Sequence, residues 1–142
     1  GPKGDGSIPE EQVAVLEGLG RWTNKHKEAI YGTRSGIPKE HFYGPTTLSK
    51  DENILYLFVK GNPNGEVVIR GLKNRINRIY VVGEGTKLSH QVIGKVYWSH
   101  YPGINYIKLP EHVLDENMTV LAVLLDGKVD LYREDGAVIE SN

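Results

Sequence analysis

The chain has 142 residues, with 17 lysines and arginines against 18 aspartates and glutamates and no cysteine. That length suits one globular unit able to bury about two-thirds of its unfolded surface. Balanced charge argues against nucleic acid or an anionic membrane as partner, and the lack of cysteine removes disulfides and thiolate metal sites. No apolar run reaches the ~18 residues needed to span a bilayer.

The chain starts on Gly1-Pro2-Lys3-Gly4-Asp5-Gly6, a glycine-rich loop without an initiator methionine. Ser7-Ile8-Pro9-Glu10 then has the form of a capping box, with a proline in the first turn where its missing N–H costs nothing. Val13, Leu16, Leu19, Gly20, Trp22 and Thr23 recur at helical spacing, leaving Glu11, Glu17, Arg21 and Lys25 outside the stripe. This predicts one amphipathic helix, ending near Lys25. Such a helix must pack on something, either the domain that follows or a neighbour outside these residues. A loop, one helix and then only strands reads as the end of a larger α/β body joined to a β-domain.

After Tyr31 the pattern changes to strands. Asn53–Val59, Glu66–Ile69, Arg78–Val82, Val96–His100, Ile104–Leu109, Thr119–Leu125 and Val129–Tyr132 read as β. Asn62-Pro63-Asn64-Gly65 is expected to close one hairpin and Asp126-Gly127 another, as a type I′ turn. Pro102-Gly103 breaks the chain between strands, and Gly83-Glu84-Gly85-Thr86-Lys87 reads as a turn because it lacks the order of a phosphate-binding loop. About seven or eight short strands with no further helix predict an antiparallel β-sandwich. The runs at 54–59 and 119–125 are apolar on both faces, so one face should meet the opposite sheet and the other the helix or a partner.

Three residue groups bear on function. His26, His41, His90, His100 and His112 lack metal-ligand spacing and read as ordinary histidines, so no metal site is expected. Lys73, Arg75 and Arg78 are diluted by Asn74 and Asn77 and read as a solvated loop. Tyr97-Trp98-Ser99-His100-Tyr101 is the aromatic cluster. Strand alternation would send Tyr97 and Tyr101 to one face and Trp98 to the other, with Trp98 in the core. The functional alternative is a carbohydrate-binding platform made by Tyr97, Trp98 and Tyr101, because sugar faces present C–H bonds to aromatic rings.

The opening run through Glu10, the Leu19-Gly20-Arg21-Trp22 of the helix, and Glu28-Ala29-Ile30-Tyr31-Gly32-Thr33 resemble the α-L-fucosidases of glycoside hydrolase family 29. The family's usual Asn-Gly before the last segment is His26-Lys27 here, and Ser35-Gly36 stand where Pro-Trp is common. The resemblance implies that residues 1–27 are the end of a catalytic (β/α)8-like barrel and 28–142 a C-terminal β-sandwich. It implies a parent enzyme that releases terminal α-L-fucose from glycans by a retaining mechanism, in the periplasm, the extracellular space or the lysosome, without a cofactor. Retention needs two carboxyl groups roughly 5–5.5 Å apart. In the family both lie upstream of the matching segment, so no catalytic residue is expected here; Asp5, Glu10 and Glu11 read as loop and capping carboxylates. The implied partner is the barrel of the same polypeptide. A fucosylated glycan on the aromatic cluster and self-association through Val13, Leu16 and Leu19 are the alternatives.

Overall fold

A computed structural model describes residues 10–133. Helix α1 spans Glu10–Lys25, and a 3-10 turn at Lys27–Ala29 leads into nine strands. In chain order these are β1 (Arg34–Ser35), β2 (Thr46–Leu48), β3 (Ile54–Lys60), β4 (Glu66–Arg70), β5 (Ile76–Val81), β6 (Lys87–Leu88), β7 (His90–Ile93), β8 (Ile104–Lys108) and β9 (Met118–Leu125). Six form a large sheet in the order β1-β2-β3-β9-β5-β6, and three form a small sheet in the order β4-β8-β7. All pairings are antiparallel. The architecture is the expected β-sandwich preceded by one helix. No helix among the described residues is long and apolar enough to cross a membrane.

The doubly apolar strands explain the layering. β3 and β9 lie side by side at the centre of the large sheet, in a register that pairs Leu55 with Val123 and Leu57 with Leu121. These four side chains enter the core between the sheets, where they meet Ile69 and Ile107 of the small sheet. The alternate residues Tyr56, Phe58, Val120 and Ala122 face outward and join Ala29 and Val82 in a second apolar cluster. Trp22 and Ile30 pack against that cluster. The outer face of the large sheet is therefore covered by the end of α1 and the segment after it. Each fully buried leucine in these layers contributes roughly 1.5–3 kcal/mol.

Two expected turns and two expected strands fail. Asn62–Gly65 makes no hairpin, because β3 belongs to the large sheet and β4 to the small one. Asn64 and Gly65 take positive φ there, and the Asn62 side chain accepts the Asn64 N–H, so the turn carries the chain between layers. Asp126-Gly127 forms no type I′ turn, since neither residue has positive φ. The Asn74 side chain instead donates to Asp126 and accepts from the Asp130 N–H, and Val129–Tyr132 is reduced to one bridge, Leu72 to Leu131. Val96–His100 is a loop rather than a strand. Finally, β1, β2, β6 and β7 were not expected. They are short, and β7 is an edge strand with little burial, so none shows clear alternation. Gly83–Gly85 is the expected turn, between β5 and β6.

Candidate functional site

The helix meets the sandwich only through its last turns. The Trp22 indole Nε1 donates to the Met118 carbonyl at 2.8 Å, and its ring lies 6.4 Å from Phe58 and 4.5 Å from His26. Lys25 Nζ reaches Asp115 Oδ2 at 3.1 Å. Burial by itself pushes the Asp115 carboxyl up, but the Asn117 N–H and the Lys25 ammonium outweigh it and hold the group below its ordinary value. Gly83 allows the close approach: a Cβ there would come within 2.6 Å of the Lys25 side chain. His26 is buried, with Nδ1 2.8 Å from the Trp22 carbonyl oxygen.

Before Trp22 the helix stands clear. None of its residues is buried, and Val15, Leu16 and Leu19 are 69%, 55% and 59% exposed. At 100° per residue, Leu16 lies about 120° round the axis from Trp22 and Val13 about 180°. The sandwich thus takes the tryptophan, and Leu16 and Val13 are turned away from it, whereas Val15 and Leu19, about 20° and 60° from Trp22, lie on its side of the helix yet stay exposed. Val15, Gly18, Leu19 and Trp22 also form one wall of a groove of about 540 Å³ whose other wall is Glu116–Met118. Of the two packing alternatives for the stripe, the domain that follows satisfies only the tail.

The segment after the helix is a rivet that sequence reasoning did not single out chemically. Glu28 Oε2 accepts from Tyr80 Oη at 2.8 Å and from Tyr56 Oη at 3.1 Å, the two tyrosines flanking Ala122 of β9 on the large sheet's outer face. Thr47 Oγ1 donates to the buried Ala29 carbonyl at 2.8 Å, and Thr33 Oγ1 to that of Ile30. Burial and the Glu28 carboxylate push the Tyr80 phenol up to about 12 and raise that of Tyr56 as well. A raised pKa means the folded state holds these protons more tightly than the unfolded chain, whose tyrosines titrate near 10. The stability involved is complete below pH 10 and is lost as pH rises from there through about 12. A Tyr56→Phe/Tyr80→Phe protein should show a shallower alkaline fall in melting temperature across that window. An unchanged slope would count against the clamp.

The aromatic cluster is dispersed differently from expectation. Trp98 is not in the core: it is 74% exposed, and Tyr97 is 96% exposed. Their rings meet edge to face, 5.0 Å apart at 88°. Tyr101 turns away and packs in the same manner on Tyr132, at 5.2 Å. The alternation argument fails because the segment is a loop, in which successive side chains need not oppose one another. The other singled-out residues are dispersed too. His41 is buried with Nδ1 2.7 Å from the Arg70 carbonyl oxygen, burial lowers the pKa of His90, and His100 and His112 are exposed. Lys73 pairs with Asp130, and Arg78 lies over the Tyr80 ring. Glu10 and Glu11 are exposed in the first turn of α1, whereas Asp5 and the capping serine lie outside the described residues.

No protein-family model matches the chain, and no curated protein matches it in sequence. Solved structures do. It is similar to alpha-L-fucosidase isoenzyme 1 from Paenibacillus thiaminolyticus, with TM-score 0.71 and 24% identity over 89% of this chain and 29% of that one. A GH29 alpha-L-fucosidase from Bacteroides thetaiotaomicron gives TM-score 0.70 and 18% identity over 98% of this chain and 28% of that one. The Thermotoga maritima alpha-fucosidase in complex with fucose gives TM-score 0.63 and 29% identity over 87% and 29%. The resemblance to family 29 α-L-fucosidases is therefore also one of fold, over most of this chain. The chain spans less than a third of the length of those enzymes, as the C-terminal domain of a larger polypeptide would.

Proposed function

We propose that the chain is the C-terminal part of an α-L-fucosidase, with residues 1–27 completing the catalytic barrel and 28–142 forming a non-catalytic support domain. One observation carries this reading: a helix riveted to the sandwich at its C-terminal end leaves Val15, Leu16 and Leu19 exposed to solvent. A contiguous apolar face of this kind is an association surface. The occupant that fits is the rest of the same polypeptide, since the similar fucosidases have more than two-thirds of their length outside the matched region. On this reading the reaction is release of terminal α-L-fucose, and the two carboxyl groups it needs stand in the barrel. The sandwich contributes rigidity. Trp22, Lys25 and the Glu28 clamp hold the helix at a set angle, so the barrel docked on it is held too.

The test compares Leu16→Asp/Leu19→Asp in the 142-residue chain with the same change in the longer enzyme. Destabilisation confined to the longer enzyme supports the reading, and equal effects in both overturn it. Sedimentation of the 142-residue chain addresses the alternative occupant, a second copy. A dimer abolished by the substitutions, with no effect of them on the longer enzyme, would assign the face to self-association.

A further inference from the structure

We infer that Tyr97 and Trp98 form a preorganised platform for a neutral glycan, at a place separate from the helix face. The loop carrying them is built rather than slack. Its base is pinched where the buried Gly103, at φ +84°, passes β7 so closely that a Cβ would stand 2.7 Å from the Ile93 carbonyl oxygen. Its tip is closed by the Ser99 N–H on the Val96 carbonyl at 3.2 Å and by the Tyr101 N–H on Ser99 Oγ at 3.1 Å. Tyr101, on the limb of the loop that leads back to β8, packs on Tyr132. Backbone geometry therefore holds a tryptophan and a tyrosine in water, where each forgoes the burial its ring would otherwise gain.

The shape and chemistry of the corner select its ligand. Rings set at 88° and 5.0 Å make an L, one face to stack on and one to abut. Residues 94–103 contain no carboxylate, so nothing in the loop recruits a cation, while Lys95 and His100 are exposed donors on the same loop. A pyranose, with a C–H face and a hydroxyl rim, matches that combination. A 6-deoxy sugar adds a methyl group to the apolar side. The choice of a fucosylated glycan over other neutral glycans rests on the reading proposed above. The position does not: the loop springs from the small sheet, whereas α1 lies on the outer face of the large one. The platform would hold the polymer or antenna that carries the fucose.

The experiment is an NMR titration of the 142-residue chain with 2′-fucosyllactose, following its two tryptophan indoles. The Trp98 indole should shift saturably while that of Trp22, bonded to Met118, stays in place. Affinity should fall about tenfold in Trp98→Ala and be unchanged in Tyr43→Ala, which removes an equally exposed aromatic elsewhere. A stationary Trp98 indole, wild-type affinity in Trp98→Ala, or an equal loss in Tyr43→Ala would each overturn the platform. The indole shift needs no variant, so a poorly folding substitution does not spoil the test. None of these failures alters the helix-face comparison, which reads a different surface.

Discussion

Leu16→Asp/Leu19→Asp should leave the stability of the 142-residue chain within about 0.5 kcal/mol of wild type and lower that of the longer enzyme by about 4 kcal/mol. In the chain described here both leucines are more than half exposed, so an aspartate at either site loses little burial and stays hydrated. Against a docked barrel the same carboxylates would be desolvated without a partner, and two leucines' worth of apolar burial would be lost. Thermal or denaturant melting of both polypeptides checks this. The contrast, rather than either value, is the informative quantity. Activity should fall with stability in the longer enzyme, because the barrel would lose its support.

Trp22→Ala should cost about 2 kcal/mol in the 142-residue chain itself, less than the 3–5 kcal/mol typical of a fully buried tryptophan because part of the side chain stays in contact with solvent. The change removes the indole donor to the Met118 carbonyl and the packing on Phe58 and His26. It should also separate two parts of the molecule. Amide hydrogens of α1 should exchange at rates close to those of an isolated helix, since a helix of this length is marginal without tertiary packing. Amides of β3 and β9, fixed by the core on the far face of their sheet, should remain protected. Trp22→Phe, which keeps an aromatic ring and loses the donor, should fall between. Unchanged helix exchange in Trp22→Ala would mean that Lys25 and the Gly83 contact suffice to seat the helix.

The outer layers and the centre of the sandwich differed in how readable they were. β3 and β9 stood out because runs such as Ile54–Val59 bury both faces, and continuous apolarity over so short a stretch survives any error of register. The edge strands β1, β6 and β7 bury one residue or none, so they carry no periodic mark. The Glu28 clamp was hidden for another reason. Its tyrosines lie 28 and 52 residues away along the chain, and only the pairing of β3, β9 and β5 brings them to one carboxylate. Asn74 was read as diluting a basic stretch, yet it staples 126–130 by three hydrogen bonds that depend on the same long-range folding.

Local chemistry alone thus determined that the described residues form one α-helix followed by a β-sandwich, and the ordered motifs from Gly1 to Thr33 carried the resemblance to fucosidases. Tertiary structure decided which way things face. It turned Trp22 inward and Leu16 outward on one helix, and it placed Trp98 in solvent where alternation would have buried it. The physical reason is the same in each case. Periodicity reports how many residues of a segment want cover, but the direction of cover depends on which layer happens to lie beside it, and that is settled by contacts distant in sequence.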